Sequence, residues 1–399
     1  MTGYEAFAEL SQSRDSDERG HAAHLAAMAY LDHSGPADEH AALYAALIGF
    51  LDDSSVKVRA ALAYGLLHSE RAPRPVILAL LQDSAIISRA VLQYSPILID
   101  ADLLPIIVKG DIAALTAISQ RRKVSARLAA ALIASGDHDL IIRVLERQDL
   151  KIDGSVLAEL ARSRGTDGRL RGALLARKEL PGTARLMLVQ QITESLKTCR
   201  MVKGALTAER LGRILRDGTD TAVAIIGEAE ATDAREQFVE TLVDTDQVSA
   251  RLLLHAIATG RVMFFASCIA GLSSTSASKV FTLLEAGSAT TLQALFSRCG
   301  LSSNVSGLLV RIVLHARTAD LADDVAARHY VLTALTEELI NEYDGNIPAE
   351  LEEAFCYLNE QNISLARKAA RGVMAAFDRT THAQLPVPRE QQQLVLPAA

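Results

Sequence analysis

Apolar positions along the chain recur with the period of one helix face. Val58, Ala61, Leu62, Gly65 and Leu66 follow an i, i+3, i+4, i+7, i+8 spacing. Ile87, Ala90, Val91 and Tyr94 repeat it, and Ile141, Val144 and Leu145 begin it again. Such spacing predicts amphipathic helices, because a strand would alternate every second residue. Asp or Ser stands before each run, where a side-chain oxygen accepts the free amide protons of a first helical turn. Pro73, Pro75, Pro96, Pro105 and Pro181, with Gly110, Gly136 and Gly165, mark the expected boundaries.

The runs themselves repeat. Six positions separate Asp53 from Arg59, Asp83 from Arg89 and Asp137 from Arg143. Asp111 and Asp167 mark two further starts without the matching arginine, since position 117 is Ala and Arg171 comes two places early. The five starts lie 30, 28, 26 and 30 residues apart. This period fits helix pairs stacked in an all-α, HEAT-like α-solenoid, in which each pair covers its neighbour's apolar flank. Asp53, Arg59, Asp83, Arg89, Asp137 and Arg143 are then expected to form a structural ladder between repeats. The alternative is an exposed functional row.

The C-terminal half is also helical but less regular. Residues 249–273 and 276–302 predict longer helices with Gly-marked turns, and 329–343 and 347–361 two more. Residues 11–20 are polar and predict a loop. The expected organisation is an N-terminal helical segment (1–40), a repeat region (41–200), a C-terminal helical region (201–379) and a disordered tail (380–399).

Composition narrows the chemistry. Of 399 residues, 49% are hydrophobic and 4% aromatic, with no Trp, so Ala and Leu must supply the core. Cys199, Cys268, Cys299 and Cys356 form no CxxC pair, which argues against a disulfide framework or a common zinc site. The N-terminus lacks a basic start followed by an apolar run, and the longest apolar stretch, 262–272, is too short to span a bilayer. A cytoplasmic location is expected.

Charge is segregated along the chain. Residues 1–114 hold 8 Lys/Arg and 15 Asp/Glu, 115–216 hold 20 and 10, and 217–399 hold 13 and 23. The net values are −7, +10 and −10, giving −7 in all. Arg121, Arg122, Lys123, Arg127, Arg143 and Arg147 lead the basic segment, and Arg162, Arg164, Arg169, Arg171, Arg177 and Lys178 continue it. On equivalent helices they would form a basic stripe suited to an acidic protein segment. The bland alternative is a solvated face, with some arginines engaged between repeats. Nucleic acid is a poorer fit, because residues 115–216 contain no Phe, Tyr or Trp on which a base could stack.

Signatures of catalysis are missing. The chain has no GxxxxGK[ST], no GxGxxG after a strand and no GxSxG. His21 and His24 share a helical turn, but no second ligand pair accompanies them, so no metal and no cofactor is expected. Cys268 reads as a core residue, and His255 and His315 as satisfied helix histidines. Glu352 and Glu353 are adjacent and point to different faces. Phe264 and Phe265 are adjacent too, so one helix cannot bury both on one narrow stripe. Either both lie between two helix layers, or one meets a second subunit.

Several segments carry a family likeness. LQYSPILIDADLLPII (92–107) opens a helix with a Ser-Pro turn, and AISQRRKVSARLAAALIASGDHDLIIRVLER (117–147) follows it. ATGRVMFFASCIAGLSS (258–274) and FSRCGLS (296–302) come later. In that order, across residues 45–345, they resemble the alphaproteobacterial family DUF2336. The resemblance implies a HEAT-like helical-repeat fold and no assigned reaction, so no catalytic residue is carried over. The reading is a non-enzymatic interaction scaffold or adaptor that presents the basic stripe to an acidic partner. A homo-oligomer stays open. An enzyme with a dispersed active site and a phosphate-backbone binder are the alternatives.

Overall fold

The computed structural model describes residues 10–319, 321 and 323–380; the expected tail from 381 onward lies outside them. Among the described residues the regular structure is entirely α-helical. The chain divides by contacts into two units, Met1–Leu188 and Val189–Ala399.

The first unit holds α1 (Ser16–Asp32), α2 (Ala37–Leu51), α3 (Val56–Leu66), α4 (Arg74–Leu81), α5 (Ala85–Tyr94), α6 (Asp100–Lys109), α7 (Ile112–Ser119), α8 (Ala126–Ala134), α9 (His138–Glu146), α10 (Gly154–Arg164) and α11 (Gly168–Leu175). Helix α12 (Gly182–Thr198) crosses the division. Alternate helices touch in series: α1 on α3, α3 on α5, α5 on α7, α7 on α9 and α9 on α11. On the other side α2 meets α4 and α6 meets α8.

The expected apolar face is the buried one. Val58, Leu62 and Leu66 of α3, Ile87 and Val91 of α5, and Ile141, Val144 and Leu145 of α9 are all buried. The recurring aspartates and serines act as caps. Asp111, Asp137, Asp153 and Asp167 accept amide protons from Ala113, Leu140, Ser155 and Leu170, and Ser125 accepts one from Leu128. Each satisfies a donor that has no partner within its helix.

Two boundaries differ from expectation. Asp15 caps α1 by accepting from the Asp17 amide, so residues 16–20 are helical despite their polarity. Pro105 lies inside α6, where it removes one backbone hydrogen bond without ending the helix. That helix ends at Gly110, whose φ of 75° is the left-handed conformation a C-cap favours.

The second unit holds α13 (Arg200–Ala205), α14 (Ala208–Thr232), α15 (Gln237–Asp244), α16 (Ala250–Ala258), α17 (Val262–Ser273), α18 (Ala277–Ala286), α19 (Ala289–Arg298), α20 (Ser303–Ala316), α21 (Val325–Glu342) and α22 (Ala349–Thr380). Helix α16 is its centre. It touches α14, α17, α20 and α22, and every residue from Arg251 to Ala258 is buried. An eight-residue stretch buried all round needs partners for its polar members, Arg251 and His255.

Phe264 and Phe265 are both fully buried, between different neighbours. Phe264 faces Phe238 of α15 at 6.5 Å between ring centroids, and Phe265 faces Phe296 of α19 at 6.1 Å. Phe264 also lies on Gly227 of α14, where any Cβ would stand 2.1 Å from the ring. On α14, Glu228 accepts the amide proton of Phe264 at 2.8 Å and so caps α17. Cys268 is buried, and loss of solvation pushes its thiol well above the usual range.

Candidate functional site

The basic segment of the first unit separates into two populations. The first is buried or half-buried and binds backbone carbonyls. Arg121, just past α7, is buried, and its guanidinium donates to the carbonyls of Leu92, Ser95 and Leu98 at the end of α5. Arg147, past α9, donates to the carbonyls of Ser119 and Arg121. Arg177, past α11, donates to those of Leu145, Arg147 and Leu150. Arg185 in α12 donates to those of Leu175, Arg177 and Leu180.

Each arginine therefore closes the C-terminus of the helix one place back in the row. Its own carbonyl is closed in turn by the next arginine. The last carbonyls of a helix have no internal partner and carry the negative end of the dipole. A guanidinium with five donors satisfies several at once. The device recurs in the second unit, where Arg298 donates to Ser273 O at 3.2 Å and Arg317 to Leu284 O at 2.8 Å.

This corrects the expected stripe. Arg121 offers no surface charge, and burial pulls its pKa down. Arg147 is half-buried and also pairs with Asp149. Arg122, Lys123, Arg127 and Arg143 are exposed, and each has no ion-pair partner among the described residues. They form the second population.

Part of the expected ladder between repeats is present. Arg59 of α3 donates Nε to Asp83 Oδ2 at 2.6 Å and Nη2 to Asp83 Oδ1 at 3.0 Å, one repeat ahead. It also donates Nη1 to the Asp53 carbonyl at 2.6 Å. Asp53 itself takes two hydrogen bonds from Arg19 of α1. Arg74 of α4 reaches Asp102 of α6 at 2.7 Å. The rung thus runs from an arginine to the next repeat's aspartate. Arg89 and Arg143 are exposed and make no rung among the described residues, and Asp137 serves only as a cap. After α5 the row is joined mainly by arginine–carbonyl contacts, with one exposed arginine–aspartate pair, Arg169 of α11 and Asp139 of α9 at 3.4 Å.

The second unit contains a buried polar cluster that sequence patterns did not single out. Arg251 donates Nε to Asp220 at 2.8 Å and Nη2 to Asp217, and Glu360 lies 3.9 Å away. The guanidinium lies 4.9 Å from the centroid of the Tyr357 ring, a cation–π contact. Tyr357 Oη is 2.8 Å from His255 Nδ1, and Thr221 Oγ1 is 3.3 Å from His255 Nε2.

The proton inventory settles the tautomer. Thr221 already donates its hydroxyl proton to the Asp217 carbonyl at 2.7 Å, so its oxygen accepts from His255 Nε2–H. Nδ1 then accepts the Tyr357 hydroxyl proton. That is a neutral imidazole, and burial accordingly lowers the His255 pKa to about 4. Burial likewise raises the Tyr357 phenol far above its ordinary value. His315, the other histidine expected to be satisfied, lies 3.2 Å from Glu338 Oε1.

Above the His255–Tyr357 pair lies a cavity of about 210 Å³. Helix α14 contributes Thr221 and Ile225; α16 and the turn after it contribute His255, Thr259 and Arg261. Helix α21 adds Arg328 and Leu332, and α22 adds Tyr357, Gln361, Leu365 and Lys368. The α22 residues follow an i, i+4, i+8, i+11 spacing, one face of one helix. That stripe was legible in the sequence. Its convergence with Arg261 and Arg328 was not, because four separate segments meet there.

Alternate helices touching in series, with α5, α7, α9 and α11 each closed by an arginine further along the chain, define an all-α protein of packed helical modules. The chain belongs to the family described as uncharacterised protein conserved in bacteria (DUF2336), which matches residues 87–344. The match covers the arginine-capped row from α5 and the centre of the second unit, and stops short of Tyr357. No curated protein and no solved structure matches the chain.

Proposed function

We propose that the chain is a non-enzymatic interaction scaffold, a HEAT-like α-solenoid whose basic face binds an acidic protein segment. The observation that carries this reading is the division of the basic segment. Arg121, Arg147, Arg177 and Arg185 are engaged by helix C-termini. Arg122, Lys123, Arg127 and Arg143 remain exposed with no carboxylate partner among the described residues. Unneutralised cations on a rigid helical frame favour a partner rich in Asp and Glu, whose approach they also speed. The segment's lack of aromatic side chains disfavours base stacking.

The test is fluorescence anisotropy of the full chain with a labelled Glu-rich peptide, at about 50 mM and about 300 mM salt. Binding should weaken with salt, and by at least about tenfold in the Arg122→Glu/Lys123→Glu variant. Unchanged binding in that variant rejects the surface. Arg121→Glu is unsuitable, because a buried carboxylate against helix carbonyls would disrupt the fold. Tighter binding of duplex DNA than of the peptide would favour the phosphate-backbone alternative.

A further inference from the structure

We propose that the acidic segment bound by the basic face is the α21–α22 end of a second copy of this chain, so that copies associate head to tail. The inference rests on the basic face of the scaffold reading and names its partner.

The basic face carries charge that its own surroundings leave unneutralised. Arg122 and Lys123 stand in the turn after α7, and Arg127 in the first turn of α8. Arg143 lies one helical turn before Arg147, whose guanidinium donates to the carbonyl of Arg121, next to Arg122. All four cations are exposed. In residues 121–149, Asp139 pairs with Arg169, Asp149 pairs with Arg147, and Asp137 caps α9. That leaves Glu146 against the four cations.

The complementary surface is in the second unit. Residues 337–353 cover the end of α21, the turn after it and the start of α22, and they contain seven Asp/Glu and no Lys or Arg. Three of the seven are engaged. Glu342 pairs with Arg311, Glu338 lies 3.2 Å from His315, and Glu350 accepts from Asn304 at 3.3 Å. Glu337, Asp344, Glu352 and Glu353 are exposed and pair with no cation among the described residues. Helices α21 and α22 pack on each other, so these carboxylates are carried by one hairpin end.

Charge layout also selects the orientation. Residues 115–216 carry a net +10 and residues 217–399 a net −10. Two basic faces, or two acidic ends, would repel each other, whereas basic against acidic attracts. The contact is therefore heterologous, and it repeats into a ring or a chain.

Exposed ion pairs alone hold a contact weakly. Each surface also has an apolar side chain in solvent. Ile340 of α21 is 42% exposed, one turn from Glu337. Tyr94 of α5 is 49% exposed, and Arg121 donates to the carbonyls of Leu92 and Ser95 on either side of it. Tyr94 thus stands beside the turn that carries Arg122. An aromatic anchor ringed by charged groups is a common plan of protein interfaces.

The experiment is sedimentation velocity of the full chain from about 1 to about 100 μM, at about 50 mM and about 300 mM salt. The sedimentation coefficient should rise with concentration at low salt and lose that rise at high salt. Arg122→Glu/Lys123→Glu and Glu352→Lys/Glu353→Lys should each raise the dissociation constant by at least about tenfold. An equimolar mixture of the two should associate again, since one supplies the native acidic end and the other the native basic face. That recovery also shows both variants to be folded. Sedimentation independent of concentration at low salt overturns the proposal. So does association that survives in either variant, or a mixture that fails to associate. Where self-association fails, binding of the Glu-rich peptide by the same sample leaves the basic-face reading standing, and its absence removes both.

Discussion

Tyr357 donates its hydroxyl proton to Nδ1 of His255 across 2.8 Å, joining α22 to the buried centre of the second unit over 102 positions of sequence. Both side chains are buried. Tyr357→Phe keeps the ring but leaves an imidazole acceptor unpaired. A buried unsatisfied acceptor costs about 1–3 kcal/mol. Urea denaturation should show that loss with an unchanged slope, and an unaltered midpoint would show the contact to be unimportant.

His255 also sets a pH dependence. Its folded pKa, about 4, lies below its ordinary 6.5 because burial disfavours the imidazolium. As pH falls, the unfolded chain takes up this proton first. The contribution is therefore whole above pH 6.5, shrinks down to about pH 4, and changes no further below that. The gap corresponds to about 3 kcal/mol. In His255→Gln, the loss of stability between pH 7 and pH 4.5 should be smaller than in the wild type by about 2 kcal/mol.

Arg177 is the most thoroughly buried charge in the arginine row. Arg177→Met removes the partners of three carbonyls at the end of α9, at a cost of about 3 kcal/mol. Arg143→Met, at an exposed site, should stay within about 0.5 kcal/mol. Chemical denaturation of the two side by side separates structural arginines from surface ones.

The Arg59–Asp83 pair should be coupled, and Arg89 should not be. A double-mutant cycle of Arg59→Ala and Asp83→Ala is expected to give a coupling of about 1 kcal/mol, modest because the pair is only partly buried. Arg89→Ala combined with Asp83→Ala should be additive. The Asp83 carboxyl is held below its usual range by its hydrogen bonds from Arg59. Its share of the stability is thus present above the ordinary carboxylate pKa and is lost as pH falls through the folded value.

Gly227 exists where two helices approach too closely for a side chain. Gly227→Ala would press a methyl group into the Phe264 ring and force α14 and α17 apart, at about 3 kcal/mol. Gly212→Ala, on the same helix with open space around the new methyl, should gain about 0.5–1 kcal/mol from helix propensity. Thermal melts of opposite sign are the expected outcome.

Particular residues show where reading the chain alone succeeds. Ile87, Val91, Ile141 and Leu145 are core residues because a 3.6 period leaves them no other face. Asp111, Asp137 and Asp167 are caps because each stands one residue before its helix. The adjacency of Phe264 and Phe265 required two different neighbours, and only the packing showed that both are buried within the fold. Arg121 and Arg122 mark the limit: neighbours of one type, yet one closes a helix and the other faces solvent. Nothing within a few residues distinguishes them. The i, i+6 spacing of Asp and Arg marked a repeat, and which side chains meet across repeats, as Arg59 meets Asp83, needed the packing.

The sequence by itself determined that this protein is helical, where most helices begin and end, and which faces turn inward. Those properties depend on hydrogen bonds and apolar contacts within about four residues, so local composition suffices for them. Only the tertiary structure decided which arginines close helices, which remain free, and that His255, Tyr357, Arg261 and Lys368 share one cavity. A guanidinium takes whatever carbonyl or carboxylate packing brings within reach, and that partner lies tens of residues away along the chain.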